Sequence, residues 1–204
     1  MTLKTMMNTW TGLLMGLGLA QVGLAAQAPA AAAQPPAAPP LTLTTTAFAD
    51  GGVIPNKYTQ AGEQVSPALA WTNVPAGTQS FVLHMRDPDV ARNRTTEDQV
   101  HWHVWGIPGT ATGMAEGQPK GPTLPDGSRQ ISASGEVYRG PGAAATGPLH
   151  HYTFELFALD TKLDVPAGAD AWASRTAVYN AMQGHILGKA VYVGLFRRPQ
   201  PRPQ

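Results

Sequence analysis

Residues 80–89 read SFVLHMRDPD and residues 100–108 read VHWHVWGIP, and these two stretches decide the fold. Each is an apolar run of strand length, and each is closed by a proline (Pro88, Pro108) that cannot continue a central strand. Two later runs repeat the pattern: residues 151–159 (HYTFELFAL) stop at Asp160, and residues 190–196 (AVYVGLF) stop before Arg197-Arg198-Pro199. Shorter strands are expected at 41–46, 68–71 and 131–134. One helix is expected, over residues 170–187, where Ala173, Ala177, Ala181 and the pair Val178/Met182 form a stripe of 3.6-residue period and Gly188 stops it. Many strands followed by one C-terminal helix predict a mainly β fold, built of antiparallel sheets with peripheral helix.

Outside these runs, composition narrows the chemistry. The chain has 204 residues, 13% charged and 43% hydrophobic, with 22 Gly and 19 Pro. That suits one loop-rich globular domain and argues against a coiled coil or a highly charged disordered chain. There is no cysteine, which removes disulfides, thiolate nucleophiles and Cys-ligated zinc. Residues 1–26 read as a secretory signal: Lys4 is the positive n-region, residues 10–20 (WTGLLMGLGLA) the apolar h-region, and small residues at 22–28 offer cleavage after Ala25, Ala26 or Ala28. The mature protein is then periplasmic or secreted and carries no transmembrane span. Residues 27–40 (QAPAAAAQPPAAPP) are a semi-rigid Ala/Pro linker. Residues 41–199 form the domain, and residues 200–204 a frayed tail. The formal charge of +1 is Lys4 alone; without residues 1–26 there are 13 basic and 13 acidic residues. A neutral domain has no bulk attraction for nucleic acid or anionic membrane, so recognition by charge must be local.

Three polar clusters can supply it. Asp87 and Asp89 flank Pro88 at a strand end, so both carboxylates can point into one mouth. In a strand, His101, His103 and Trp105 share a face. A His pair at i, i+2 with Asp87 would make a two-His, one-carboxylate metal site, a hydrolase alternative without a water-activating Glu in sight. His150 and Tyr152 share a face with Phe154 and Leu156, while His151 and Thr153 point the other way; imidazolium and phenol both donate hydrogen bonds, which suits an anion. His185 is expected to cap helix carbonyls. No nucleophile elbow, H-E-x-x-H zinc motif or phosphate-binding G-x-x-x-x-G-K-[ST] loop occurs.

Taken in order, these pieces resemble the phosphatidylethanolamine-binding protein family, in its bacterial Raf-kinase-inhibitor-like branch. The matching residues are Asp87-Pro88-Asp89, His101-Trp102, Trp105-Gly106-Ile107-Pro108, Tyr138-Arg139-Gly140-Pro141, His150-His151-Tyr152-Thr153-Phe154, Ala158-Leu159-Asp160, Gly184-His185-Ile186-Leu187 and Val193-Gly194-Leu195-Phe196-Arg197. The likeness spans residues 41–198. It implies antiparallel β-sheets with a few peripheral helices and a small anion pocket at one end. Carried over residue by residue, that pocket is Asp87, Asp89, His101, Gly140, Pro141, His150 and Tyr152. The resemblance implies a non-enzymatic binder of phosphate-like or phosphorylated head groups, with no cofactor and no resident metal; inhibition of a protease or kinase through a protein partner is the second reading. His101 and His150 would donate to the anion, Tyr152 would add its hydroxyl, and Asp87 would orient or charge a histidine. Three departures stand out, the first being Val90-Ala91 after Asp87-Pro88-Asp89, where the family carries Ala-Pro. Gly106 replaces the asparagine expected before Ile-Pro, and residues 142–147 (GAAATG) replace a proline-rich continuation of the Gly-Pro loop, which predicts a less preorganised pocket wall.

Overall fold

The computed structural model describes residues 38–200. The expected signal segment, residues 27–37 of the expected linker and residues 201–204 of the expected tail lie outside them. Nine strands and one α-helix occur among the described residues: β1 (Thr42–Thr44), β2 (Gly52–Val53), β3 (Leu69–Thr72), β4 (Ser80–Asp87), β5 (Gln99–Pro108), β6 (Gly113–Met114), β7 (Arg129–Ile131), β8 (His150–Leu159), α1 (Ala171–Met182) and β9 (Ile186–Phe196). No helix among them is long and apolar enough to cross a membrane.

Two sheets form, a small one ordered β1-β3-β6 and a large one ordered β2-β9-β8-β4-β5-β7. Every pairing is antiparallel except β2 with β9, which is parallel. The main core lies between the sheets. Leu43, Leu69, Trp71 and Met114 from the small sheet meet Phe81, Leu83, Met85, Trp102, Val104, Phe154, Leu156 and Tyr192 from the large one. A second cluster on the opposite face of the large sheet joins Val82, Val100, Trp105, Phe157 and Leu159 to Ala171, Val178 and Met182 of α1. The three buried indoles each find an acceptor: Trp71 Nε1 donates to Ala111 O (2.7 Å), Trp102 to Gln130 Oε1 (2.8 Å) and Trp105 to Val165 O (2.8 Å). Satisfying the one polar atom lets each large ring contribute its full apolar burial.

The helix is shorter than its sequence predicts. Asp170 caps it by accepting from Ala173 N (2.7 Å), as short polar side chains do at helix starts. The chain leaves the helix at Gly184, with φ +81°, so Gly188 lies inside β9 and β9 begins four residues before the expected 190. The buried face is also displaced: Ala171, Ser174, Val178 and Met182 are buried, whereas Ala173 and Ala177 are exposed. His185 does not cap carbonyls through its ring; its Nδ1 pairs with Asp160 Oδ1 at 2.8 Å.

Two irregularities in β5 set the direction of its side chains. Phe81 pairs with Ile107 and Val82 with Trp105, which leaves Gly106 as an extra residue with φ +73°. Glycine and asparagine are the residues that accept that left-handed conformation most readily, so the Gly106 departure is conservative in backbone terms. Met85 pairs with Trp102 and Arg86 with Val100, which leaves His101 as the extra residue of a second β-bulge.

Candidate functional site

The second bulge redirects a side chain. Without it, His101 and His103 would share a face. Instead His101 joins the Trp102 side, its ring edge-on to Tyr152 with centroids 5.0 Å apart. His103 faces α1, stacked on Trp105 (5.6 Å) with its Nδ1 3.2 Å from His84 Nδ1. The expected two-His, one-carboxylate set of His101, His103 and Asp87 is therefore not assembled, because the inserted residue breaks the period of two.

What is assembled lies where the end of β4, the bulge of β5 and the start of β8 converge. Asp87 closes β4 and is 2% exposed. Its Oδ1 accepts from Asp89 N (3.0 Å), the local turn bond that Asp favours before a reversal. Its Oδ2 lies 2.8 Å from His150 Nδ1. This contact orients the imidazole and leaves Nε2 as its free nitrogen. Asp89 is engaged elsewhere: its Oδ2 accepts from His151 N (2.6 Å) and lies 3.0 Å from His151 Nδ1. One ligand atom each from Asp87, Asp89 and His150 falls within a 4.8 Å cluster.

His101 is bound on two sides to Arg139. Its carbonyl accepts from Arg139 N (3.0 Å), and its Nδ1 lies 2.9 Å from Arg139 O. Because a carbonyl only accepts, Nδ1 carries the proton and Nε2 the lone pair. Burial holds the His101 pKa down to about 4, against the opposing pull of the Arg139 carbonyl and of Asp87. The ring is neutral at neutral pH. The expected cationic donor is thus an acceptor.

The loop after Arg139 closes the pocket. Tyr152 OH accepts from Gly142 N (3.1 Å) and Ala143 N (3.0 Å), and burial raises its pKa, so the phenol keeps its proton. Gln60 Nε2 donates to Gly140 O (2.8 Å), Gln60 N to Pro141 O (2.9 Å), Arg198 N to Ala143 O (3.1 Å) and Arg197 Nη1 to Gly147 O (3.0 Å). The wall expected to be loose for want of prolines is tied by hydrogen bonds from three distant segments. Gly140 is required where it stands: a Cβ there would meet Tyr58 O at 2.7 Å and Thr59 Cα at 2.8 Å.

The cavity so enclosed measures about 260 Å³. Asp87, His101, His150 and Tyr152 line it; Asp89, Gly140 and Pro141 do not, serving instead in the turn and loop behind it. Residues 142–144, part of the expected wall, line it as well, and sequence reasoning did not single out Gln60, Gln99 and Arg139, which also line it. Arg139 had a signal, since it stands inside the Tyr138–Pro141 motif; Gln60 had none. A wider recess of about 530 Å³ lies at the other end of β4 and β5, beside Ser80, Pro108 and Lys162. Its Lys162 and Asp164 are exposed, and it gathers no buried carboxylate or imidazole.

The chain as a whole has counterparts among known proteins. The profile of the family described as phosphatidylethanolamine-binding protein matches residues 44–197. A UPF0098 protein of Methanothermobacter thermautotrophicus is 43% identical over 160 residues, spanning 78% of this chain and 99% of its own. LppC of Mycobacterium tuberculosis, whose name places it among lipoproteins, is 36% identical over 163 residues, 79% of this chain and 74% of its own. Among solved structures, the phosphatidylethanolamine-binding protein homologue CT736 of Chlamydia trachomatis superposes with a TM-score of 0.65 at 30% identity, covering 78% of this chain and 98% of that one. A family profile over three quarters of the chain and a relative 43% identical along 99% of its length carry one conclusion: this chain belongs to the phosphatidylethanolamine-binding protein family.

Proposed function

We propose that the chain is a non-enzymatic binding protein whose 260 Å³ cavity holds a small phosphate-like or phosphorylated head group. The observation that carries this reading is the convergence of Asp87, His150, His101 and Tyr152 on one cavity with Arg139 beside them. The volume falls below the roughly 300–1,000 Å³ of pockets that enclose a drug-sized ligand, so a head group fits and acyl chains stay outside. Against catalysis, none of the lining residues is Ser, Thr or Cys, so the Asp87–His150 pair has no hydroxyl or thiol nucleophile beside it to activate. We place the mature domain outside the cytoplasm, on the Lys4-plus-apolar pattern of residues 1–26 and on the lipoprotein name of one relative.

Thermal unfolding tests the binding. A ligand at a hundredfold excess over its Kd adds about 2.7 kcal/mol, which raises Tm by on the order of 5–10 °C for a domain of this size. Inorganic phosphate is expected to give such a shift in the wild type and none in His150→Ala. A wild type that responds to neither phosphate nor phosphoethanolamine overturns the reading.

A further inference from the structure

Resting on that reading, we infer that Arg139 is the cation of this pocket and that the pocket selects an oxyanion still carrying a proton, such as hydrogen phosphate, over one that carries none. Charge balance and hydrogen-bond balance both lead there.

Five titratable or charged side chains line the cavity: Asp87, His101, Arg139, His150 and Tyr152. His101 gives its one proton to the Arg139 carbonyl and turns a lone pair outward. His150 commits Nδ1 to Asp87. Arg139 is the one permanent cation among them. Its Nη1 donates to Ser134 Oγ (2.6 Å), and its Nε is buried without any partner. A guanidinium so placed is under-used, since its fork matches two oxygens of a phosphate or carboxylate. The side chain is also not what holds the loop. The Arg139 main chain makes both bonds to His101, while the guanidinium bonds only an exposed serine.

The same inventory sets the protonation of the ligand. Asp87 and His101 Nε2 are acceptors, and Tyr152 commits its oxygen to two loop amides, keeping a single O–H. An oxyanion with no proton would set lone pair against lone pair at Asp87 and His101. One that keeps an O–H donates it there and accepts from Arg139 through its other oxygens. Phosphate at neutral pH always carries at least one proton; sulfate, of the same shape, carries none.

Titration calorimetry on the full chain at pH 7 and constant ionic strength tests this with inorganic phosphate and sulfate. The wild type is expected to bind phosphate at least tenfold more tightly than sulfate. Arg139→Met is expected to weaken phosphate at least tenfold, with Arg139→Gln, a second neutral variant, doing the same and Arg139→Lys recovering part of the loss. The unliganded Tm of each variant is expected to stay at the wild-type value. Equal wild-type affinity for phosphate and sulfate overturns the inference, as does wild-type phosphate affinity in both neutral variants. If His150→Ala abolishes phosphate binding while Arg139→Met and Arg139→Gln retain it, the inference falls and the binding function stands. If the wild type binds neither anion the inference falls, and the binding function falls with it if phosphoethanolamine also gives no thermal shift.

Discussion

Two glycines, Gly140 in the loop behind this pocket and Gly106 beside the recess at the other end of β5, separate the kinds of constraint that act on single residues. Gly106 takes φ +73° with open space where a Cβ would stand, whereas Gly140 has an ordinary φ and backbone atoms of Tyr58 and Thr59 in the way. Gly106→Ala therefore incurs only left-handed strain, about 1–2 kcal/mol, and leaves phosphate affinity unchanged. Gly140→Ala forces the loop off Tyr58, an overpacking cost of about 1–3 kcal/mol, and moves the 142–143 amides that Tyr152 holds, so its phosphate affinity falls as well. Urea unfolding combined with a phosphate titration reads both effects; equal affinity in the two variants would refute the assigned role of Gly140. Which residues would face the pocket was only partly legible at this scale. His150 and Tyr152 follow the strand period and lie where alternation puts them. His101 does not, because a bulge adds one residue without changing composition, and no pattern of apolar and polar residues encodes that insertion.

At the scale of elements, the helix sits on a buried titratable pair. His84 of β4 and His103 of β5 are fully buried, with Nδ1 atoms 3.2 Å apart and both Nε2 atoms unpartnered. The Tyr179 ring of α1 packs edge-on against both, at 5.5 and 5.8 Å. Arg175 of α1 and Arg86 of β4 stand nearby, bridging Asp98 and, for Arg86, Glu155. Burial first, then His103 and these arginines, pushes the His84 pKa well down; burial and Arg175 bring His103 to about 3. Below about pH 6.5 the unfolded chain takes up protons on these imidazoles and the folded chain does not. Stability is thus unaffected above that pH and falls as pH drops toward 3, by about 1.4 kcal/mol per pH unit for each histidine held neutral. The double variant His84→Leu/His103→Leu should flatten this profile between pH 6.5 and 4, measured as unfolding free energy against pH. An unchanged slope would show that other groups carry it. The sequence indicated a helix here from its composition but misplaced its end, since Gly184 and Gly188 look equally able to stop it and only the pairing of Leu159 with Ile186 decides. The buried face was hidden for a related reason: alanines on an exposed face and alanines on a buried face have the same periodicity.

For the whole molecule, long strands were legible and the pocket wall was not, because the wall is made where segments far apart in the chain meet. Gln60, the 139–144 loop and Arg197-Arg198 are joined only by tertiary hydrogen bonds. Each lies in a stretch with no period to read. The same geometry divides the chain into what the fold needs and what the pocket needs. Both hydrophobic clusters draw on residues from Leu41 to Phe196, and Pro40 is already tied in by Thr42 Oγ1. Arg197 and Arg198 add nothing to either cluster but hold Gly147, Ala143 and Gln60. A fragment of residues 38–200 should then unfold in one cooperative transition within about 2 °C of the full chain and bind phosphate equally well, as a single domain over residues 41–199 requires. A fragment of residues 38–196 keeps both cores and loses the Arg197 and Arg198 ties on the pocket loop. Its Tm should fall by only a few degrees, since each lost hydrogen bond is worth about 0.5–1.5 kcal/mol, while its phosphate affinity should drop severalfold because the 140–147 wall is no longer fixed. Calorimetric melting and phosphate titration of the two fragments check this directly. A 38–196 fragment that binds phosphate as the full chain does would mean that Tyr152 and Gln60 hold the wall without the C-terminal arginines.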